Sequence, residues 1–337
     1  MSYLDTARRL AELVEVSCWS VSYLDTARRL AELVEVSRNK KTEVDMSNNY
    51  QWFPGHMMKA LRAMREDIKL VDVLIELVDA RAPLSTGNPS IQELAEGKIH
   101  IIVLNKCDMA DPDVTKEWLS FFREGGMLAA AVDSKKRSDV TKVENLLTGL
   151  AREEFKESDA RFEAAVRAAG GDPGKRNVRI MVTGIPNVGK STFINTFAGR
   201  ASAKTGNKPG VTRGKQWIRL KSGNDLLDTP GVLYVKPLSE ESGMRLAFLG
   251  SLNDNNLSMD ELALDFVKWC MAAYPGCLAE KYGVEETEGL ETMEAIGAKR
   301  GCLKKGGVID YERTAGIIID DFRNARMGRL SLERPDQ

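Results

Sequence analysis

No apolar run in this chain approaches the ~18 residues that a membrane-spanning helix needs, so we expect neither a membrane span nor a membrane partner. The formal net charge is only −1, which excludes a uniformly basic nucleic-acid-binding protein but allows a local basic patch. The five cysteines are scattered, without the spacing of a zinc site or of a disulfide framework. This cysteine usage favours a reducing compartment, and we therefore expect the cytoplasm.

Histidine is also scarce, with two residues in the whole chain. His100 lies inside an apolar run and is expected to be structural, whereas His56 follows the turn-forming pair Pro54-Gly55. From its surroundings alone, His56 is either a loop or helix-capping residue or a catalytic group. The neighbouring residues do not decide between these two interpretations.

The first 45 residues contain an internal repeat. Residues 2–17 read SYLDTARRLAELVEVS, and residues 22–37 repeat these letters without a change. Each copy has an amphipathic helical pattern, which fits either a partner-binding helical arm or a tandem duplication without a role. Because repeat folds need at least ~3 stacked units, two copies do not form one. We therefore predict that residues 1–45 are a dispensable extension, with Met46 as a natural start.

The following region, residues 46–237, alternates between strand-like and helical patterns. Nearly continuous apolar runs, typical of strands buried on both faces, occupy 71–78, 99–104, 127–132 and 178–183. Helical patterns occur at 113–122, at 140–155 and from 191 onward, and a hairpin is predicted for 217–220 and 225–227. This alternation predicts an α/β domain with a mostly parallel sheet. It stops near residue 238, so residues 238–335 are predicted to form a small all-α domain.

Two nucleotide-binding motifs occur in an inverted order. The motif Asn105-Lys106-Cys107-Asp108 precedes the phosphate loop, which reads Gly184-Ile185-Pro186-Asn187-Val188-Gly189-Lys190-Ser191. In an ordinary GTPase the phosphate loop comes first. The order therefore predicts a circularly permuted P-loop GTPase domain.

The phosphate loop has a direct physical rationale. Gly184 and Gly189 let the backbone turn tightly, so that its N–H groups point inward at the phosphates. Lys190 is expected to contact the β- and γ-phosphates, and Ser191 to ligate Mg²⁺. Further phosphate contacts are predicted for Pro186, Asn187, Val188, Thr192 and Gly231.

Base recognition is predicted for the motif that ends in Asp108. A carboxylate accepts hydrogen bonds from guanine N1–H and N2–H₂, a pair of donors that adenine lacks, so GTP is favoured over ATP. Asn105 and Lys106 belong to the same motif, which lies at the end of a strand where open α/β sheets bind ligands. After the next strand, Ser134 and Lys135 are predicted to bring a backbone N–H to the guanine oxygen.

The sequence Asp228-Thr229-Pro230-Gly231 follows the phosphate loop and predicts a nucleotide-sensing turn. Asp228 is expected in the Mg²⁺ shell and Gly231 at the γ-phosphate. Thr212 is predicted to be the switch threonine that closes on Mg²⁺ and the γ-phosphate, although Thr205 lies nearby.

Val232 follows Gly231, at a position where many GTPases carry a glutamine that orients the attacking water. Because valine cannot do this, another group must position the water. The side chain of Asn187 is polar where it can help to hold K⁺ against the phosphates, in place of an arginine finger. The alternative is that Asn187 is a turn residue that tolerates unusual backbone angles.

Three features together resemble the bacterial ribosome biogenesis GTPase A family, also called YlqF. They are the motif order, the string Gln51-Trp52-Phe53-Pro54-Gly55-His56-Met57 and the string Lys299-Arg300-Gly301-Cys302-Leu303-Lys304-Lys305-Gly306-Gly307. The resemblance covers about residues 50–335, and residues 1–45 have no counterpart in it. It implies a GTPase that binds a late precursor of the large (50S) ribosomal subunit, with rRNA and ribosomal proteins as partners. It also implies His56 as the catalytic histidine, and stimulation by the subunit and by K⁺ through Asn187.

The C-terminal part carries a local excess of basic side chains that can meet RNA phosphates through electrostatics. The predicted RNA-contacting residues are Lys299, Arg300, Lys304, Lys305, Arg323, Arg326 and Arg329. On composition alone, a solvated helix face explains the same residues. We expect a monomer. Two alternatives stay open, namely a mitochondrial-type relative with the same chemistry and a GTP-dependent binding module that does not hydrolyse.

Overall fold

The computed structural model describes residues 64–88, 91, 95, 97–172, 177–199, 216–228, 239–252 and 257–335. Several predicted features lie outside these residues: the duplicated segment, His56, Thr212 and Gly231. They therefore stay predictions. For Asp228 the backbone is described and the side chain is not.

A single sheet organises the first part of the described chain. Its strands are β1 (Val73–Asp79), β2 (Ile99–Asn105), β3 (Leu128–Val132), β4 (Arg179–Thr183), β5 (Gln216–Arg219) and β6 (Asp225–Asp228). Their spatial order is β3-β2-β1-β4-β6-β5. Neighbours are parallel except β5 and β6, which form the predicted antiparallel hairpin. The mostly parallel α/β sheet predicted from the apolar runs is thereby confirmed.

Helices cover both faces of this sheet. They are α1 (Pro83–Thr86), α2 (Pro112–Glu124), α3 (Arg137–Glu154), α4 (Lys156–Ala168) and α5 (Lys190–Ala198). The start of α2 follows from its sequence, because Asp111 accepts hydrogen bonds from two first-turn N–H groups and Pro112 has no N–H to leave unpaired. Helix α4 was not predicted. Most of its side chains are exposed, so no apolar stripe marks it in the sequence.

Alternating residues of the central strand enter two different cores. Val73, Ile75 and Leu77 of β1 pack in one cluster with residues of α3 and α5. Leu74 and Val78 face the other side, where the helical residues 64–68 and the Trp118 side chain of α2 cover the sheet. A strand that is buried on both faces has to be apolar at every position, which explains the continuous run.

The second part of the described chain is helical. It comprises α6 (Glu240–Phe248), α7 (Met259–Ala273), α8 (Cys277–Tyr282), α9 (Gly289–Lys299) and α10 (Tyr311–Arg323). These helices share a core of their own, centred on Phe248, Phe266 and Phe322. Ala82, just after β1, also packs in this core. The helical part is therefore in contact with the loop that leaves the central strand.

After α10 the chain returns to the sheet domain. We call residues 329–334 the C-terminal strap. The Leu332 N–H donates to the Arg81 carbonyl at 2.7 Å, and the Trp118 indole N–H donates to the Glu333 carbonyl at 3.1 Å. The buried Glu333 carboxylate accepts from the Leu84 N–H at 2.5 Å and from the Ser85 hydroxyl at 2.7 Å. The strap thereby joins the helical part to the carboxyl edge of the sheet.

Candidate nucleotide-binding site

The predicted nucleotide motifs all follow strands at one edge of the sheet. Asn105 ends β2 and pairs in register with Asp79 at the end of β1. Asp228 ends β6 and pairs with Val182, two residues before the phosphate loop begins. Because these strands are parallel, their carboxyl ends meet at the edge where open α/β sheets bind ligands.

The phosphate loop requires glycine at two positions. Gly184 has φ +155°, and a Cβ there would lie 2.6 Å from the Leu77 carbonyl oxygen. Gly189 has φ +95°, and a Cβ there would lie 2.3 Å from Asn105 Nδ2. Such approaches are far inside van der Waals contact, so any side chain would push the loop away from β1 or from Asn105. Both glycines are thus needed for the shape of the loop.

Helix α5 begins at Lys190, and the N-cap residue before it, Gly189, has no side chain that could cap the helix. The first-turn N–H groups of such a helix have no partners within the helix, and they favour anions. Lys190 is buried, with 7% of its surface exposed, while Ser191 and Thr192 are half-buried in the same turn. The arrangement suits a bound phosphate chain.

Asn187 has φ +66°, a left-handed conformation that asparagine tolerates better than most residues. The predicted turn role of its backbone is therefore present. Its side-chain Nδ2 donates to the Gly250 carbonyl of the helical part. Since a carbonyl only accepts, the amide nitrogen faces Gly250, and Oδ1 is the atom that can be offered to a cation.

Asn105 ties three loops together. Its buried side chain donates from Nδ2 to the Val188 carbonyl of the phosphate loop at 2.6 Å. Its Oδ1 accepts from the Ser134 hydroxyl at 2.5 Å and from the Ser134 N–H at 3.2 Å. The Lys135 N–H donates to Asp133 at 2.9 Å. The N–H groups of Ser134 and Lys135 thus have protein acceptors in this structure, and the loop supports Asn105. Their contact with the guanine oxygen stays a prediction.

We call residues 105–110 the guanine loop. Within it, Lys106 has φ +60°, and its ammonium group donates to the Asn187 carbonyl at 2.6 Å. Asp108 keeps 29% of its side chain exposed, and its carboxylate lies 3.7 Å from the ammonium group of Lys135. A carboxylate that is accessible at this edge is what recognition of guanine N1–H and N2–H₂ requires. The predicted role of Asp108 is compatible with its position.

Two residues of the site were missed in the sequence, Asp79 and Arg81. Both are 1% exposed, and the Arg81 guanidinium binds the Asp79 carboxylate through two hydrogen bonds of 2.9 and 2.8 Å. Lys106 lies 2.9 Å from the same carboxylate. They follow the apolar run of β1 directly, as Asn105 follows that of β2. Their position after a strand was therefore the available signal.

This buried ion cluster changes how its members titrate. Burial alone raises the pKa of the Asp79 carboxyl, but the charges and hydrogen bonds of Arg81 and Lys106 outweigh it and hold the pKa below its usual range. Burial lowers the pKa of Lys106, and the Asp79 charge opposes that effect. The Arg81 guanidinium also lies over the Phe322 ring, 5.1 Å from its centroid. The cluster thus connects the guanine loop to the end of α10.

The predicted RNA-contacting residues fall into two groups. Lys299, Arg300, Lys304 and Lys305 are exposed at the end of α9 and in the turn that follows it. Arg323, in contrast, donates to the carbonyls of Phe248 and Ala247 at 3.0 and 2.8 Å.

Arg329 likewise donates to backbone carbonyls, those of Ala110 and Cys107. Arg326 pairs with the carboxylates of Asp320 and Asp321. These contacts engage donors of Arg323, which is partly buried, and of Arg329, which is exposed. Arg323 and Arg329 thus make structural contacts, and the RNA contacts predicted for them and for Arg326 stay a prediction.

Comparison with known proteins decides the family. A family model described as 50S ribosome-binding GTPase matches residues 179–273. Ribosome biogenesis GTPase A of Bacillus cereus is 40% identical over 289 residues, which cover 85% of this chain and 94% of that protein. The chain belongs to the ribosome biogenesis GTPase A family.

Two further relatives place the family in context. Mitochondrial ribosome-associated GTPase 1 of Ictalurus punctatus is 32% identical over 316 residues, covering 84% of this chain and 92% of that protein. The crystal structure of GNP-bound YlqF from T. maritima aligns with a TM-score of 0.57 and 30% identity, over 83% of this chain and 99% of that chain. Family membership confirms the predicted circularly permuted P-loop GTPase fold and makes the chain a GTP-binding GTPase.

GTPases work on GTP together with Mg²⁺, and the residues of the site fit this cation. The Ser191 hydroxyl lies in the first turn of α5, and Asp228 ends the strand next to the one that feeds the phosphate loop. A hydroxyl and a carboxylate are the oxygen ligands that Mg²⁺ prefers. When bound, the cation supplies positive charge beside the β- and γ-phosphates.

Within the described residues, no cluster of histidine, cysteine and acidic side chains has the composition of a further metal site. In the same part of the chain, every helix is too short or too polar to cross a bilayer. His100 lies 3.1 Å from the Glu76 carboxylate, partly buried in the sheet, as expected for a structural histidine.

Proposed function

We propose that this protein is a GTP-hydrolysing assembly factor of the large ribosomal subunit, which binds a late subunit precursor in its GTP state. The main support for a GTP site is that the side chains of Asn105 and Lys106 donate hydrogen bonds to the carbonyls of Val188 and Asn187, at 2.6 Å each. These two hydrogen bonds join the loop predicted to select the base to the loop predicted to bind the phosphates. The names of the relatives and of the matching family support the ribosomal role.

The reaction is phosphoryl transfer to water, and the residues would divide the work. Lys190 and the N–H groups of the phosphate loop would hold the β- and γ-phosphates, and Gly231 would sense the γ-phosphate. Ser191, Thr212 and Asp228 would hold Mg²⁺, and the Asn187 Oδ1 would help to hold K⁺. His56 would position the attacking water in place of a glutamine, because Val232 cannot do so.

The proposed ribosome-contacting surface is the exposed end of α9 with the turn that follows. Lys299 and Lys305 are exposed there, and the turn is shaped by positive φ angles at Gly306 and Gly307. The Arg300 guanidinium lies 5.1 Å from the Tyr282 ring centroid and 3.6 Å from the Asp321 carboxylate, and its side chain is 41% exposed. Four cations close together attract RNA phosphates without reading bases. Binding should therefore weaken steeply with salt.

Cosedimentation tests this function. The full chain is mixed with large-subunit precursors in the presence of a GTP analogue or of GDP, and the bound fraction is measured. We expect association with the analogue and release with GDP. Equal binding in both states would contradict the proposal.

A binding module that does not hydrolyse GTP is the second candidate. Single-turnover hydrolysis with and without large subunits separates the two. Stimulation by the subunit supports the enzyme, and a rate that stays at the background level in both supports the module. We also propose that the protein is cytoplasmic and monomeric.

A further inference from the structure

Arg329 of the C-terminal strap holds the guanine loop on the side opposite the phosphate loop. Its Nε donates to the Ala110 carbonyl and its terminal nitrogen to the Cys107 carbonyl, each at 2.8 Å. These two carbonyls flank Asp108, one residue before it and two residues after it. A planar guanidinium that makes two such bonds fixes the backbone on both sides of the carboxylate.

Asp108 needs such support because its side chain makes only a weak contact with the rest of the protein. Its contact with Lys135 is 3.7 Å long, and Lys135 is 67% exposed. An exposed ion pair of this length contributes little to position. The direction of the Asp108 carboxylate is therefore set mainly by the backbone of the loop.

The strap that carries Arg329 is anchored on both sides. Leu330 and Leu332 are buried in the core of the helical part. The Ser331 hydroxyl accepts from the Asp111 N–H at 3.1 Å, and the Glu333 carboxylate is held by Arg245 at 3.1 Å. Arg329 thus acts from a fixed platform that belongs to the helical part. Arg329 belongs neither to the guanine motif nor to the phosphate loop.

We propose that Arg329 is a positioning residue for base recognition, which fixes the backbone around Asp108 so that its carboxylate meets guanine N1–H and N2–H₂ together. The proposal rests on the proposed role of Asp108 as the guanine acceptor. The helical part thereby contributes to nucleotide specificity, because the strap that it anchors carries Arg329 against the guanine loop.

The test compares GDP with IDP, whose base keeps N1–H and lacks the 2-amino group. Calorimetric titration of the full chain gives the dissociation constant for each. Arg329→Ala should weaken GDP binding by roughly tenfold, the equivalent of one charge-assisted hydrogen bond, and IDP binding less. The preference for GDP over IDP should therefore shrink. Arg329→Lys keeps the charge but lacks the planar guanidinium, so its preference for GDP over IDP should lie between those of the parent and of Arg329→Ala.

Arg334→Ala is the matched control, because Arg334 lies on the same strap and makes an exposed pair with Glu117 at 2.9 Å. It should keep the parental preference. If Arg329→Ala weakens GDP and IDP equally, or neither, the positioning role is overturned. Asp108→Asn, measured in the same way, distinguishes failure of the role proposed for Asp108 from failure of the role proposed for Arg329. If this variant keeps the parental GDP/IDP preference, Asp108 is not the guanine acceptor, and the role of Arg329 is overturned with it. If Asp108→Asn abolishes the GDP/IDP preference and Arg329→Ala keeps the parental preference, only the positioning role of Arg329 is removed.

Discussion

The Lys106 ammonium group donates to the Asn187 carbonyl at 2.6 Å, so the guanine loop touches the phosphate loop although 81 positions separate the two residues. The same ammonium group lies 2.9 Å from the Asp79 carboxylate. Permutation has reversed the order of the motifs along the chain and has left their loops adjacent at one edge of the sheet. Adjacent loops let one nucleotide bridge both.

The first prediction concerns base choice. Asp108→Asn should weaken GTP binding by roughly 10- to 100-fold, as expected for loss of a charged acceptor. The amide can donate to the additional carbonyl of xanthine, so XTP should bind better to the variant than to the parent. Dissociation constants for GTP and XTP measure both effects. Asp113→Asn, a change in an exposed carboxylate of α2, serves as the control.

A second prediction concerns the buried ion cluster. Asp79→Asn should lower the free energy of unfolding by about 3–5 kcal/mol, because it leaves Arg81 buried without its counter-charge. Urea denaturation measures the difference from the parent. A loss well below this range would show that water or another group compensates the Arg81 charge.

The pH dependence of that difference follows from the lowered pKa of Asp79. A carboxyl whose pKa is lower in the folded than in the unfolded state stabilises the protein fully above its unfolded pKa. The stabilisation is lost as pH falls towards the folded pKa. The gap between parent and Asp79→Asn should therefore be constant from pH 7 down to about pH 5 and shrink only in stronger acid. A gap that already closes near neutral pH would contradict this assignment.

The sheet and the loops that follow its strands could be predicted, because strands buried on both faces give continuous apolar runs. The contacts that Asp79 and Arg81 make with residues distant in the sequence could not. Arg81 reaches the Phe322 carbonyl at 3.5 Å across 241 positions, and pairing over such distances leaves no local pattern. The structural contacts of Arg329 could not be predicted for a related reason. A charge in a sequence does not reveal its acceptor when that acceptor is a backbone carbonyl.

A third prediction concerns the monovalent cation. With Nδ2 of Asn187 directed at Gly250, Oδ1 is the atom available to K⁺. Hydrolysis should therefore be faster in KCl than in NaCl at equal ionic strength, and Asn187→Ala should abolish the difference. Equal rates of the parent in the two salts would leave Asn187 as a turn residue alone.

A fourth prediction concerns the duplicated segment. Every recognised motif lies beyond Tyr50, so removal of residues 1–45 should leave GTP affinity, hydrolysis and ribosome association at parental levels. Titration, turnover and cosedimentation of the truncated chain check this. Loss of subunit binding with intact GTP affinity would instead identify the repeat as a partner-binding arm.

The last prediction concerns His56. Val232 cannot orient water by hydrogen bonding, and His100 is held by Glu76 inside the sheet. If His56 positions the attacking water, His56→Ala should keep parental GTP affinity, because the base and phosphate contacts come from other residues. Turnover stimulated by the large subunit should fall by roughly 10²-fold or more, as for loss of a positioned general base.

The free protein should change less than the ribosome-bound one, since we expect His56 to move into place on the subunit. The variant should consequently accumulate on the precursor in its GTP state, which cosedimentation with GTP measures. Asn187→Ala is the informative comparison, because it should lose the K⁺ response while His56→Ala retains it. Parental turnover of His56→Ala in the presence of large subunits would return His56 to a capping role and leave the positioning of water to the cation site or to rRNA.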